Sequence, residues 1–134
     1  MKKDINFVWK EFEDNSISHS ATHYLFTITE LHAKNGYARM IDVSKKLKIT
    51  PWSCSTWVKA LMKKWLIQED ENKFLWLTKK WQQIISQIME NREILFHFFS
   101  KSLWIQEDKA LINACKIEHL IGIEVIQKLK KYKD

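Results

Sequence analysis

The chain has 134 residues, with 22 Lys and Arg against 16 Asp and Glu and a formal net charge of +6, enough for one ordinary domain or a small domain with a helical extension. At 46% hydrophobic it can bury a core without staples, and two cysteines, Cys54 and Cys115, are too few for a disulfide framework. No apolar run nears the roughly 20 residues that span a bilayer, and MKKDINFVWKEFED lacks the apolar stretch of a signal peptide. These figures argue against a secreted, membrane-spanning or disordered protein. They leave a cytoplasmic, basic domain for which nucleic acid is a reasonable partner.

Residues 1–18 carry Phe7, Val8, Trp9 and Phe12 among charges and read as a short helix or arm. From Ser20 the pattern is helical, with Tyr24, Leu25, Ile28 and Leu31 on one face and Asn35-Gly36 as the stop. Residues 40–48 form a second, short helix with Ile41, Val43 and Leu47 expected inward. Thr50-Pro51 then pairs an N-cap hydroxyl with proline at the first helical position. This third helix is predicted from Pro51 to Lys64, with Cys54, Val58, Leu61 and Met62 on its apolar side.

Two strand-like runs, Leu66–Glu69 and Lys73–Leu77, flank the polar tip Asp70-Glu71-Asn72 and read as a hairpin. Thr78 is expected to cap a long helix ending near Leu103, whose stripe includes Ile84, Ile85, Ile88, Met89, Leu95, Phe98 and Phe99. Helices at about 107–121 and 123–132 follow, broken by Gly122. The fold class is mainly α: a winged helix-turn-helix over residues 1–78, then a helical dimerisation and metal-sensing region over 79–134. The third helix has the size of a major-groove reader, and symmetric dimers commonly present two such helices to paired half-sites.

The segment Ala114-Cys115-Lys116-Ile117-Glu118-His119 is the most informative. Spacings of three and four put Cys115, Glu118 and His119 on one face of the predicted helix. Thiolate, carboxylate and imidazole together suit divalent iron, manganese, cobalt or zinc. The same residues also read as a small buried cysteine beside two solvated polar groups.

The order of HYLFTITELHAKNGYAR, IDVSKKLKITPWSCSTWVKAL, the LT at 77–78 and NACKIEHLIGIEVIQKL resembles the diphtheria-toxin-repressor family, which includes the manganese-transport regulators. The match runs over roughly residues 20–130, with Ala-Cys-x-x-Glu-His its most specific part. The resemblance implies a metal-dependent winged-helix repressor of metal homeostasis, homodimeric on double-stranded DNA and not an enzyme. It implies metal ligands His23, Cys115, Glu118 and His119, where His23 replaces the family's usual Met or Asp. It also implies one activating divalent ion per subunit, iron or manganese first and zinc or cobalt next. The family's second metal position falls on Arg92, Phe96 and Leu111, which are not ligands, and Arg92 is expected to supply a positive charge in place of that ion. Where longer members continue into a small β-domain this chain stops, the short form of the family.

By the same resemblance, Thr50, Ser53, Ser55 and Thr56 approach DNA at the start of the third helix. Arg39, Lys45, Lys46, Lys59, Lys63 and Lys64 would follow the phosphate backbone, which positions more than it specifies. Two rival readings remain: a winged-helix regulator that needs no metal, and one in which Cys115 is a thiol redox switch. No His-Glu-x-x-His pattern, phosphate loop or nucleophile elbow supports catalysis.

The chain has 2 Gly and 7 Trp, where about 7% Gly is usual. Trp65 and Trp104 stand at expected helix ends, where a left-handed glycine is the physical expectation. In the family, positions 65, 81 and 104 are commonly Gly, and position 52 is Pro, Gly or another small residue. Two readings account for Trp52, Trp65, Trp81 and Trp104: a lineage that accommodates the indoles, or a gene in which UGA encodes glycine.

Overall fold

The computed structural model describes Asn6 and residues 17–132. The arm expected over residues 1–18 therefore lies outside the described residues, apart from Asn6, Ile17 and Ser18. In chain order the elements are α1 (His19–Asn35), α2 (Met40–Leu47), α3 (Pro51–Lys63), β1 (Ile67–Glu69), β2 (Leu75–Leu77), α4 (Lys79–His97), a π-helical turn (Phe98–Ser102), α5 (Glu107–Ile117) and α6 (Ile123–Lys131). They form two compact units. One is Ser20–Ser86; the other takes in His19 and the chain from Gln87. Among the described residues no helix is long and apolar enough to cross a membrane.

The first unit is a winged helix. Tyr24, Leu25, Ile28 and Leu31 of α1 are buried, with Val43 of α2, Cys54, Val58 and Leu61 of α3, and Ile67, Leu75 and Leu77 of the hairpin. Each large aliphatic side chain so buried is worth about 1.5–3 kcal/mol. Ile41, expected inward, is instead 41% exposed. It lies two residues from the fully buried Val43, and two helical steps are about 200°, so the two cannot share a face.

Between α2 and α3 the chain turns through Lys48, left-handed at φ 56°, with the Ile49 amide donating to the Ser44 carbonyl at 3.1 Å. Thr50, in extended backbone, then accepts the Ser53 amide at 3.1 Å while Pro51 takes the first helical position. Proline gives up no bond there, because that N–H would have no partner in the helix. Trp65, at φ 62°, ends α3: its amide donates to Met62 and the Leu66 amide to Leu61, both at 3.1 Å. This paired bonding is the usual glycine-favouring helix end.

The wing is antiparallel, with Ile67 opposite Leu77 and Glu69 opposite Leu75. At its tip, Asp70 Oδ1 accepts the Asn72 and Phe74 amides and Oδ2 accepts the Trp76 indole N–H, each at 2.9 Å. The hairpin is anchored to its own unit by the Leu75 amide, which donates to Ala38 at 2.7 Å, and by His32 Nε2, which donates to the Leu75 carbonyl at 2.6 Å. Thr78 was expected to cap α4. It stands just before that helix, where its carbonyl accepts the Gln82 amide at 2.9 Å, and its hydroxyl donates to the Trp65 carbonyl at 3.0 Å, closing the base of the wing.

In the second unit, Leu95, Ala114 and Ile126 form the buried centre, packed by Ile94, Phe96, Phe99, Ile121 and Leu129. The long helix ends where expected, but its last turn widens: the Leu103 amide donates to Phe98 at 3.1 Å. Trp104 follows at φ 57°, with 89% of its surface exposed. Trp52 and Trp81 lie in the first turns of α3 and α4, where helical backbone makes no demand for glycine. The helix expected to reach residue 121 stops at Ile117, and residues 118–120 form a hydrogen-bonded turn before Gly122 and α6.

Candidate metal centre and DNA-facing surface

Cys115 is in the last turn of α5, and Glu118 and His119 follow its end. Glu118 keeps helical backbone, φ −55° and ψ −33°, and its amide donates to the Ala114 carbonyl at 2.9 Å. Glu118 is fully buried and accepts a two-pronged pair from Arg92 of α4: Nε to Oε2 at 2.5 Å and Nη2 to Oε1 at 3.0 Å. Asn91, also buried, donates to the Glu118 carbonyl at 3.1 Å and accepts from Gln87 at 2.9 Å. A planar guanidinium matched to both carboxylate oxygens is the strongest form of such a pair, and it answers the charge that burial would otherwise penalise.

Cys115 and His119 are half-buried, and the Nδ1 of His119 is shut off from solvent. His19, at the start of α1, faces them. One of its ring nitrogens and the Cys115 sulfur lie within 4.8 Å, and its ring centroid is 5.6 Å from that of His119. Zinc–sulfur and zinc–nitrogen bonds of about 2.3 and 2.0–2.1 Å fit one ion between donors so placed, so thiol and imidazole meet a divalent metal's needs here. Burial raises the Cys115 thiol above its ordinary pKa; the Glu118 carboxylate adds to the rise and the Arg92 cation opposes it. His23, the ligand that the resemblance implies on α1, is half-buried one turn beyond His19, and spacing i, i+4 puts both on one side of the helix.

His19 and the Arg92–Glu118 pair were not singled out as functional from the sequence. The His19–His23 spacing could have flagged the first. The second joins residues 26 positions apart, which no local pattern reports.

On the winged unit, Thr50, Thr56, Lys59 and Lys63 are exposed, and Ser53 and Ser55 half-exposed, along the start and outer side of α3. Thr50 is engaged as the cap, and the Thr56 hydroxyl donates to the Trp52 carbonyl at 3.0 Å. Arg39 is committed within the chain: its Nε and Nη2 donate to Asp42 at 3.0 and 3.2 Å, capping α2. Lys46 pairs with Glu30 at 2.5 Å. Cys54 is wholly buried and burial raises its thiol pKa, so it serves packing.

A winged helix followed by a helical region bearing thiol and imidazole donors defines a class, the winged-helix proteins with a helical metal-binding region. Residues 78–134 match the family described as "Iron dependent repressor, metal binding and dimerisation domain". The resemblance to the diphtheria-toxin-repressor family of metal-dependent regulators thereby stands. The chain is similar in structure to the hypothetical protein SSo2273 from Sulfolobus solfataricus, with a TM-score of 0.70, 25% identity, and 87% of this chain and 88% of that one covered. It shares its fold with T. acidophilum IdeR (TM-score 0.65, 23% identity, covering 85% of this chain and 53% of that one). It shares it equally with the manganese regulator SloR (TM-score 0.69, 24% identity, covering 82% and 51%). The chain thus spans about half the length of the last two. No curated protein matches it by sequence.

Proposed function

We propose that this chain is a metal-dependent transcriptional repressor of metal homeostasis, binding double-stranded operator DNA as a cytoplasmic homodimer. The observation that carries the reading is the meeting of His19, Cys115 and the His119 ring in a unit whose sequence matches a metal-binding and dimerisation domain. Cys115 and His119, with His23 of α1, hold the divalent ion. Glu118 is the fourth residue the resemblance implies, and its carboxylate is already gripped by Arg92.

The winged unit supplies the DNA surface. Thr50, Ser53, Ser55 and Thr56 start the recognition helix, and Lys59 and Lys63 track phosphates, with Arg39 released to them at the cost of its bond to Asp42. Dimerisation presents two such helices about 34–36 Å apart to successive half-sites. The metal acts by binding the DNA-competent arrangement more tightly than the alternatives, which is how a ligand shifts such an equilibrium.

A gel shift on the gene's own upstream DNA tests this. The expected result is a complex that disappears with chelator and returns with manganese, ferrous iron, cobalt or zinc. The second reading, a regulator that needs no metal, is favoured by one observation: Arg92 already places a cation on Glu118. A shift indifferent to chelator would establish it instead.

A further inference from the structure

We infer that His19 joins Cys115 and His119 as a donor to the activating ion, a sulfur and nitrogen set, and that Glu118 stays with Arg92 as a structural pair. This rests on the metal-binding reading above and names the ligand chemistry of that site. It departs from the ligand set that the Cys-x-x-Glu-His resemblance implies.

Two observations carry the inference. Both Glu118 oxygens accept from one guanidinium and the side chain is sealed from solvent, so its charge is already answered within the fold. His19 stands within donor range of the Cys115 sulfur, beside the His119 ring. A thiolate with imidazoles and no carboxylate selects zinc, cobalt or iron over manganese, whose preference is for oxygen. Such donors would give zinc or cobalt a tetrahedral geometry.

The test is cobalt titration of the full chain, read by the thiolate-to-cobalt charge-transfer band and the tetrahedral d–d bands, with no DNA present. Four proteins are compared: wild type, His19→Ala, Cys115→Ser, and the double variant Arg92→Met/Glu118→Met. The double variant removes both charges together, so neither is stranded in the interior. Circular dichroism confirms that each is folded.

Wild type and the double variant are expected to bind cobalt within about threefold of each other and to share one tetrahedral spectrum. His19→Ala is expected to weaken binding by about 10-fold or more, the scale on which even outer groups of a metal site act. Cys115→Ser is expected to lose the charge-transfer band. A double variant that is folded but loses cobalt, or a His19→Ala protein that binds as wild type does, overturns the inference and returns Glu118 to the ligand set. Cobalt binding as expected, with DNA binding indifferent to metal, leaves the donor set standing and removes only the repressor reading.

Discussion

The two units are built to different standards of finish. In Ser20–Ser86 the interior is apolar apart from the hydroxyls of Thr22, Thr27 and Ser44, its helix ends are closed by backbone bonds, and five large apolar side chains, four of them tryptophans, are exposed. In the shorter chain from Gln87 a glutamate and an asparagine are buried, and nine large apolar residues are exposed: Leu103, Trp104, Leu111, Ile112, Ile117, Leu120, Ile123, Val125 and Tyr132. Under the proposed function these residues are the candidates for a dimer face. The first unit is finished by itself; on the proposed function, the second is finished by a partner copy and an ion. The lesson is that a region can look poorly packed in one chain because its packing is shared.

The largest effect should come from the unfinished face. Ile112→Glu combined with Ile123→Glu is expected to weaken self-association by about 100-fold or more, as loss of central apolar anchors does. Light scattering would show a monomer whose winged unit keeps its helical signal. A dimer of unchanged affinity would place the interface elsewhere. Next comes the buried pair: Arg92→Leu strands the Glu118 carboxylate and should cost about 3 kcal/mol. Thermal unfolding would register that loss, while the double Met variant should melt near wild type.

A smaller, opposite effect is expected at the two left-handed tryptophans. Trp65→Gly and Trp104→Gly should each stabilise the chain by up to about 1 kcal/mol, relief of a strain of about 1–2 kcal/mol set against glycine's greater freedom when unfolded. Chemical denaturation measures it. The intact mass of the protein from its native host shows which residue is inserted, since each glycine would lighten the chain by an indole side chain.

The smallest effect is at the wing tip. The Trp76 indole N–H, then the Phe74 amide, hold the Asp70 carboxyl below its ordinary range. Its contribution is therefore present above the unfolded value and lost as pH falls through the lowered one. Amide exchange at Asn72 and Phe74 should accelerate under acid conditions, and an acid-insensitive tip would remove Asp70 from that role.

Much of the winged unit was legible because its signals are local. Thr50-Pro51, the polar hairpin tip and the period of Tyr24, Leu25, Ile28 and Leu31 each act within a few residues. Ile41 was misread because a short helix was given a face too wide for its period. The second unit was legible only in outline. Gly122 announced its break, but nothing near Glu118 announced its ion pair, because the partner is an arginine 26 positions away. Lys48 shows the same limit at a turn, adopting a left-handed backbone without any glycine to signal it.

The wing's anchorage has a mechanical consequence. Two three-residue strands are too short to stand as an independent hairpin, and this pair borrows its footing from the His32 imidazole and the Ala38 carbonyl. The hairpin is in effect an outrigger bolted to the far end of α1. Its tilt is inherited from that helix, so replacing His32 would slacken the wing without touching a residue of either strand.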